Sequence, residues 1–340
     1  MPIIKPSTSP TQFPLKAVLV AICIGMAGGL ALAAGLGRLS PGSPRLGAIE
    51  QASKALWSGQ ASAMAQAFSN EIALERSSGV YALPVQGVEF KLTFGAQGSL
   101  NSLSKFNPSS SAPCMLELAI DGSGDPSLRS STFSKFEGML SGADKALAPA
   151  AAMASAFTVA HELGHCDLHA RPSDDPAKAF ISLLASLSLP QDHEAEKAAG
   201  RYFHSRFGYV SFQESYADAM ALIALSKRLS PQDFDDAGQM LLIKRRESAG
   251  IKELGGYPTP YQTHFAIPAV LRKGQAALAA LQSPQSGELA LRAASEGAAL
   301  FLGDAQPDGS VLAAKAFPSS PKLATSVAAA ARALIEKQGE

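Results

Sequence analysis

The residues best suited to chemistry are His161, Glu162 and His165, in the run H-E-L-G-H. They lie within the apolar stretch A-M-A-S-A-F-T-V-A-H-E-L-G-H, which reads as a helix. Positions i and i+4 share a helix face one turn apart. Both imidazoles can therefore reach one tetrahedral zinc ion. Glu162 projects about 100° away around the same helix. It is badly placed to share the metal but well placed to reach a water beside it. There it can take the water's proton as general base and pass it to a leaving amine. Two histidines and an acid in an apolar run would bury polar groups at a cost that a metal offsets.

Zinc needs a third protein ligand. His169, at i+8 from His161, stays on the same side of the helix but about two turns away, too far for one straight helix to wrap around an ion. The metzincin pattern H-E-x-x-H-x-x-G-x-x-H fails, because Leu168 stands at its glycine and Arg171 at its third histidine. Glu214, in Q-E-S-Y-A-D-A-M-A-L-I-A-L, is the strongest candidate. Ala217, Met220, Ala221, Ile223 and Ala224 make its helix look largely buried. Asp218, one turn on, can accept the outer N–H of a ligating histidine, His161 being the expected one, and so fix its tautomer. Glu194 and Glu196, in the charged run D-H-E-A-E-K, are weaker candidates because that segment reads as solvated.

H-E-L-G-H followed by E-S-Y-A-D resembles the gluzincins, zinc peptidases that carry H-E-x-x-H and a downstream E-x-x-x-D. The likeness covers two expected helices, 150–170 and 212–228. It implies His161, His165 and Glu214 as zinc ligands, Glu162 as catalytic base and Asp218 behind a ligand. It also implies a peptidase fold with a small sheet beside the cleft. Some gluzincins carry a histidine or tyrosine downstream of the glutamate helix to stabilise the oxyanion. His264, with Tyr257 and Tyr261 nearby, fits that place, in a Gly- and Pro-rich segment suited to a cleft wall. His193 and His204 read as surface histidines.

These residues must be carried by a chain of 340 residues, long enough for a sizeable core. Its 29 basic and 29 acidic residues balance, which leaves no electrostatic footprint for nucleic acid. Abundant alanine and few aromatics favour helix. Helices are expected at 150–170, 177–188, 193–206, 212–228, 231–247, 267–282, 286–302 and 322–337, and a helical pattern at 48–78. Alternation marks Val85 to Phe94 as a strand, and C-M-L-E-L-A-I-D, from Cys114 to Asp121, is strand-like. Either could offer an edge to an extended substrate.

Residues 17 to 37 form a run of 21 uncharged residues between Lys16 and Arg38. That length can cross a hydrocarbon core of roughly 30 Å. The run is expected to be a membrane anchor. A cleaved signal peptide is the alternative, with Ala31-Leu32-Ala33 in the small-x-small form of a cleavage site. A short N-terminus before a long domain places that domain on the periplasmic or extracellular side. Cys23 lies inside the run, so only Cys114 and Cys166 could pair in a soluble body. Pairing and two buried thiols stay equally open.

The expectation is an α+β chain: a mostly helical zincin-like domain with a small sheet, preceded by one transmembrane helix. Its parts are a tail at 1–16, the anchor or signal segment at 17–37, a linker at 38–47, a metallopeptidase domain at 48–302, and a connector with a C-terminal helix at 303–340. The expected function is a membrane-anchored metallopeptidase using Zn2+ and acting on a protein or peptide substrate. The alternative is a non-catalytic membrane-tethered binding or scaffold protein with a structural zinc site, and a third reading is a metalloenzyme acting on a non-peptide bond.

Overall fold

The computed structural model describes residues 72–83, 88–95, 103–105, 114–121, 147–171, 175–249, 262–304 and 311–339. The apolar run at 17–37, the linker at 38–47, Tyr257 and Tyr261 lie outside the described residues, as does most of the helical pattern at 48–78. Among the described residues, no helix is long and apolar enough to cross a membrane. Contacts divide the chain into two units. The first, Met1–Asn70 with Phe94–Leu100 and Ala119–Ala154, is described only at two strand ends and the start of one helix. The second, Glu71–Thr93 with Asn101–Leu118 and Ser155–Glu340, holds every functional candidate discussed below.

The described chain is mostly helical, which corrects the α+β class. Strands β1 (Val88–Gly95), β2 (Leu103–Lys105) and β3 (Cys114–Asp121) align in the order β1-β3-β2. β2 runs antiparallel to β3, with Ser104 opposite Leu116. Among the described residues β3 is thus the central strand, and β1 and β2 lie at the edges. From Leu147 onward, the long described elements are all helices. The physical reason is composition. The Ala- and Leu-rich second half buries helix against helix, with small side chains at the contacts, and needs no sheet as a platform.

Helix α1 spans Leu147–Ala170 and carries H-E-L-G-H. Helix α2 (Pro176–Ser186) starts at Asp175, whose carboxylate accepts from the backbone N–H of Ala177 and Lys178, with Pro176 in the first turn. Helix α3 (His193–His204) is capped likewise by Asp192, which accepts from Ala195. Helix α4 (Arg206–Ser226) starts at Ser205, whose hydroxyl accepts from the Gly208 N–H. This cap sets α4 going well before the expected residue 212. Helix α5 spans Pro231–Ala249. After a 3-10 turn at Thr263–Phe265, the helix expected over 267–282 is broken into α6 (Ile267–Leu271) and α7 (Gln275–Ala279). The break is at Gly274, whose φ of 71° lies in the left-handed region that favours glycine. Helix α8 (Ser283–Gly303), the short α9 (Leu312–Ala316) and α10 (Pro321–Gly339) complete the body. α9 falls within the stretch expected as a connector.

Helix α4 is the centre. Every residue from Ser215 to Ser226 is buried. A helix buried on all sides is a core helix rather than an amphipathic surface one. It packs on α3, α5, α8 and the Thr263–Phe265 turn, and α10 lies along α8. Helix α1 meets α4 backbone to backbone at Gly164. A Cβ at that position would lie 2.9 Å from Ala217 Cα and 3.2 Å from Met220 Cβ. On the far side, Cys114 of β3 and Cys166 of α1 form a disulfide, with Cα atoms 5.7 Å apart and both residues buried. The bridge thus fastens α1 one residue beyond His165.

Candidate metal centre

The close contact at Gly164 sets His161 and His165 of α1 opposite Glu214, three residues before Ala217 on α4. His161 Nε2 and His165 Nε2 are 3.2 Å apart. One Glu214 oxygen lies 3.4 Å from His161 Nε2, and the other 3.6 Å from His165 Nε2. Bonds of 2.0 to 2.1 Å at tetrahedral angles put ligand atoms about 3.3 Å apart. The three side chains therefore converge to within the spacing of zinc ligands, with each histidine nitrogen facing its own Glu214 oxygen. His161 is buried, while His165 and Glu214 are part-exposed, so the group opens towards solvent.

Behind this group, Asp218 lies fully buried. One of its oxygens is 2.8 Å from His161 Nδ1. The same oxygen accepts from Arg245 Nη2 at 2.8 Å, and the other accepts from Arg245 Nε at 2.8 Å and from the Thr263 hydroxyl at 2.6 Å. Held by a guanidinium, Asp218 stays ionised and can only accept. Its pKa falls far below the carboxylate range, because Arg245 and His161 outweigh the opposing effect of burial. In the neutral ring, His161 must then carry its hydrogen on Nδ1. That leaves the Nε2 lone pair facing His165 and Glu214, the tautomer a metal requires.

With both rings neutral and no cation, the centre is a convergence of acceptors, and a proton on His161 relieves it. Burial disfavours the His161 imidazolium, yet hydrogen bonds to Asp218 and Glu214 raise its pKa to about 10. Burial, with His161 alongside, holds the His165 pKa down. Burial works against the Glu214 carboxylate, but His161, His165 and Arg245 pull its pKa below the usual value. Two acids, Glu214 and Asp218, face one fixed cation, Arg245. The donor set, two imidazoles and a carboxylate, is one that could hold a metal ion such as zinc.

Glu162 is 4% exposed and makes no hydrogen bond or ion pair among the described residues. His264 sits in the 3-10 turn beside Thr263, with its Nδ1 buried and unpartnered. Burial and the nearby Arg246 lower its pKa to about 4, so the ring is neutral. No contact among the described residues joins His264 to the His161, His165 and Glu214 group. His169 does not join it either and instead meets Gln213 at 3.0 Å. Glu194 and Glu196 lie exposed on α3, paired with Lys197 and His193. His204 is exposed.

Arg245 and Thr263 were not found from the sequence. Arg245 sits in K-R-R-E, which reads as a solvated charge run. Its register did carry a signal. Phe234, Ala237, Leu241 and Arg245 follow one another at helical spacing, and all four are buried. A charge on an apolar stripe demands a buried partner. Thr263 had no such signal.

A second buried polar cluster joins the same two helices. Asp167 accepts from Arg171 Nε at 2.7 Å, from the Tyr216 hydroxyl at 2.6 Å and from the Ala82 backbone N–H. Tyr81 donates to the Ala160 carbonyl at 3.2 Å, so the 80–83 segment runs along α1.

No family model matches the chain, and no curated protein or solved structure does either.

Proposed function

We propose that this protein is a zinc-dependent metallopeptidase. The observation that carries this reading is the convergence of His161, His165 and Glu214, with facing atoms 3.2, 3.4 and 3.6 Å apart and two of the three residues part-exposed, beside Glu162, which has no partner among the described residues. Bound zinc would supply Lewis acidity, polarising a peptide carbonyl and making water a better nucleophile at neutral pH. Glu162 accepts the proton of the attacking water and returns it to the leaving amine nitrogen. Asp218 holds the His161 ring by its Nδ1–H. His264 is the proposed donor to the developing oxyanion. Its neighbour Thr263 is hydrogen-bonded to Asp218, which brings the turn up to the back of the centre.

A structural zinc site is closed by four protein ligands. Among the described residues the candidate group holds three, and the acid beside it has no partner there. Those two features favour the enzyme over a tethered scaffold. The resemblance to gluzincins supports peptide bonds as the target and rests on the motifs alone. The buried Cys114–Cys166 bridge suits an oxidising compartment, in line with a domain held outside the cytoplasm. Attachment to a membrane rests on the apolar run at 17–37.

The test is cleavage of a broad quenched-fluorescent peptide library by the full-length protein. Cleavage that stops on chelation, returns with zinc and is absent from a zinc-loaded Glu162→Gln variant is the expected result. A zinc-loaded parent that cleaves nothing, or a variant as active as the parent, would contradict the proposal.

A further inference from the structure

Asp218 is the most heavily bonded carboxylate of the centre, and Arg245 supplies two of its four hydrogen bonds. Arg245 comes from α5, a helix that carries none of the proposed ligands or acids. Its Nη2 shares an Asp218 oxygen with His161 Nδ1, each at 2.8 Å. The same Nη2 stands 3.7 Å from the Glu214 oxygen that faces His161 Nε2. One guanidinium thus touches both acids of α4 and reaches each side of the His161 ring through them. Thr263 bonds only the other Asp218 oxygen.

From this geometry we infer that Arg245 is the positioning residue of the metal centre. Its planar fork fixes the Asp218 carboxylate plane and with it the direction in which the His161 Nε2 lone pair points. Its second contact keeps Glu214 turned towards the histidines. A lysine supplies the same charge from a single point and cannot hold both oxygens in one plane. The inference rests on the zinc reading above and deepens it. It assigns the alignment of the ligands to a residue that touches no metal.

The experiment compares the full-length protein with its Arg245→Lys and Thr263→Val variants by chelator-competition titration of Zn2+ and by the visible absorption of Co2+-loaded protein. Partners that orient a ligand typically change metal affinity by about 10- to 100-fold. Arg245→Lys is expected to weaken zinc binding in that range and to alter the cobalt d–d bands. Thr263→Val is expected to weaken binding less and to leave the bands close to the parent's. Unfolding midpoints of the metal-free proteins show whether each variant folds. If Arg245→Lys does not fold, Arg245→Gln, which keeps a planar amide, takes its place with the same expectation. A folded variant at Arg245 with the parent's affinity and cobalt spectrum overturns the inference, and so does a larger effect from Thr263→Val. A folded parent that binds neither ion removes the zinc reading itself, and the inference with it.

Discussion

On one face of α1, His161 and His165 meet Glu214 and Asp218 of α4. On another, Asp167 and Arg171 meet Tyr216 of the same helix. The Asp167 cluster is buried and the His161 cluster largely so, with His165 and Glu214 part-exposed, and both sit where the two helices meet. In the Asp167 cluster the carboxylate is fully met by donors, although Arg171 Nη2 is buried without a partner among the described residues. The carboxylate receives a guanidinium N–H, a hydroxyl and a backbone N–H, and the charges cancel within the cluster. Burial raises the Tyr216 pKa well above its usual value, with the Asp167 charge adding to it, so its hydroxyl stays a donor. In the His161 cluster, two ring nitrogens and two carboxylate oxygens point at one another with no proton donor between them once the rings are neutral. Burying acceptors against acceptors costs free energy. The Asp167 carboxylate is satisfied as folded, whereas the His161 cluster needs a positive charge, supplied either by a proton on His161 or by a metal ion. Polar burial alone does not mark a site; acceptors converging on one point do.

The comparison can be broken by substitutions on either face. The largest effect is expected at Glu162. Glu162→Gln should cut peptide turnover by about 100- to 10,000-fold, the range for a general base. Zinc content and unfolding midpoint should stay near the parent's. A matching fall in zinc content would make Glu162 a ligand or a structural acid instead.

On the Asp167 face the cost should appear as stability. Asp167→Ala leaves Arg171 buried without its counter-ion and should lose about 3 to 5 kcal/mol in denaturant unfolding. The folded fraction should still bind zinc in the parent's ratio. Lost zinc with intact stability would reverse the assignment of the two faces.

The clusters should also differ in their response to pH. The His161 pKa is raised from 6.5 to about 10 in the metal-free fold. A raised pKa contributes stability that is fully present below 6.5 and is lost as pH rises through about 10. The metal-free protein should therefore unfold progressively more easily between those values. The zinc-loaded protein, with His161 Nε2 engaged, should lack this decline. Equal pH profiles with and without zinc would mean that His161 is not the shared group. The smallest effect is expected at Gly164, where the helices touch. Gly164→Ala should cost about 1 to 3 kcal/mol by overpacking and should weaken zinc binding by moving Glu214 away from the histidines.

What was legible in the sequence was local. The spacing of His161, Glu162 and His165 fixes their angles on a helix, and the pairing of Glu214 with Asp218 follows the same rule on another. The meeting of the two helices was not legible from spacing. It depends on Gly164 facing Ala217, 53 positions on. Arg245 and Thr263 reach Asp218 from elements whose docking only the fold determines. The caps at Asp175 and Asp192 agree with expected helix starts, whereas Ser205 began α4 early and Gly274 split an expected helix. Of the segments read as strands, Val85 to Phe94 overlaps a strand that starts later, at Val88, and Cys114 to Asp121 is a strand, yet the described chain is mostly helical. Local alternation marks a strand but says nothing about how much of the fold is sheet. The Cys114–Cys166 bridge lay open for the same reason, since composition cannot show that two side chains meet.

The most direct test of the zinc centre is the metal content of the full-length protein beside its Glu214→Ala variant, both measured after dialysis against trace zinc. A site of three protein ligands predicts about one zinc per parent chain and a marked loss in the variant. A folded parent without zinc, or a variant that holds zinc as tightly as the parent, would contradict it.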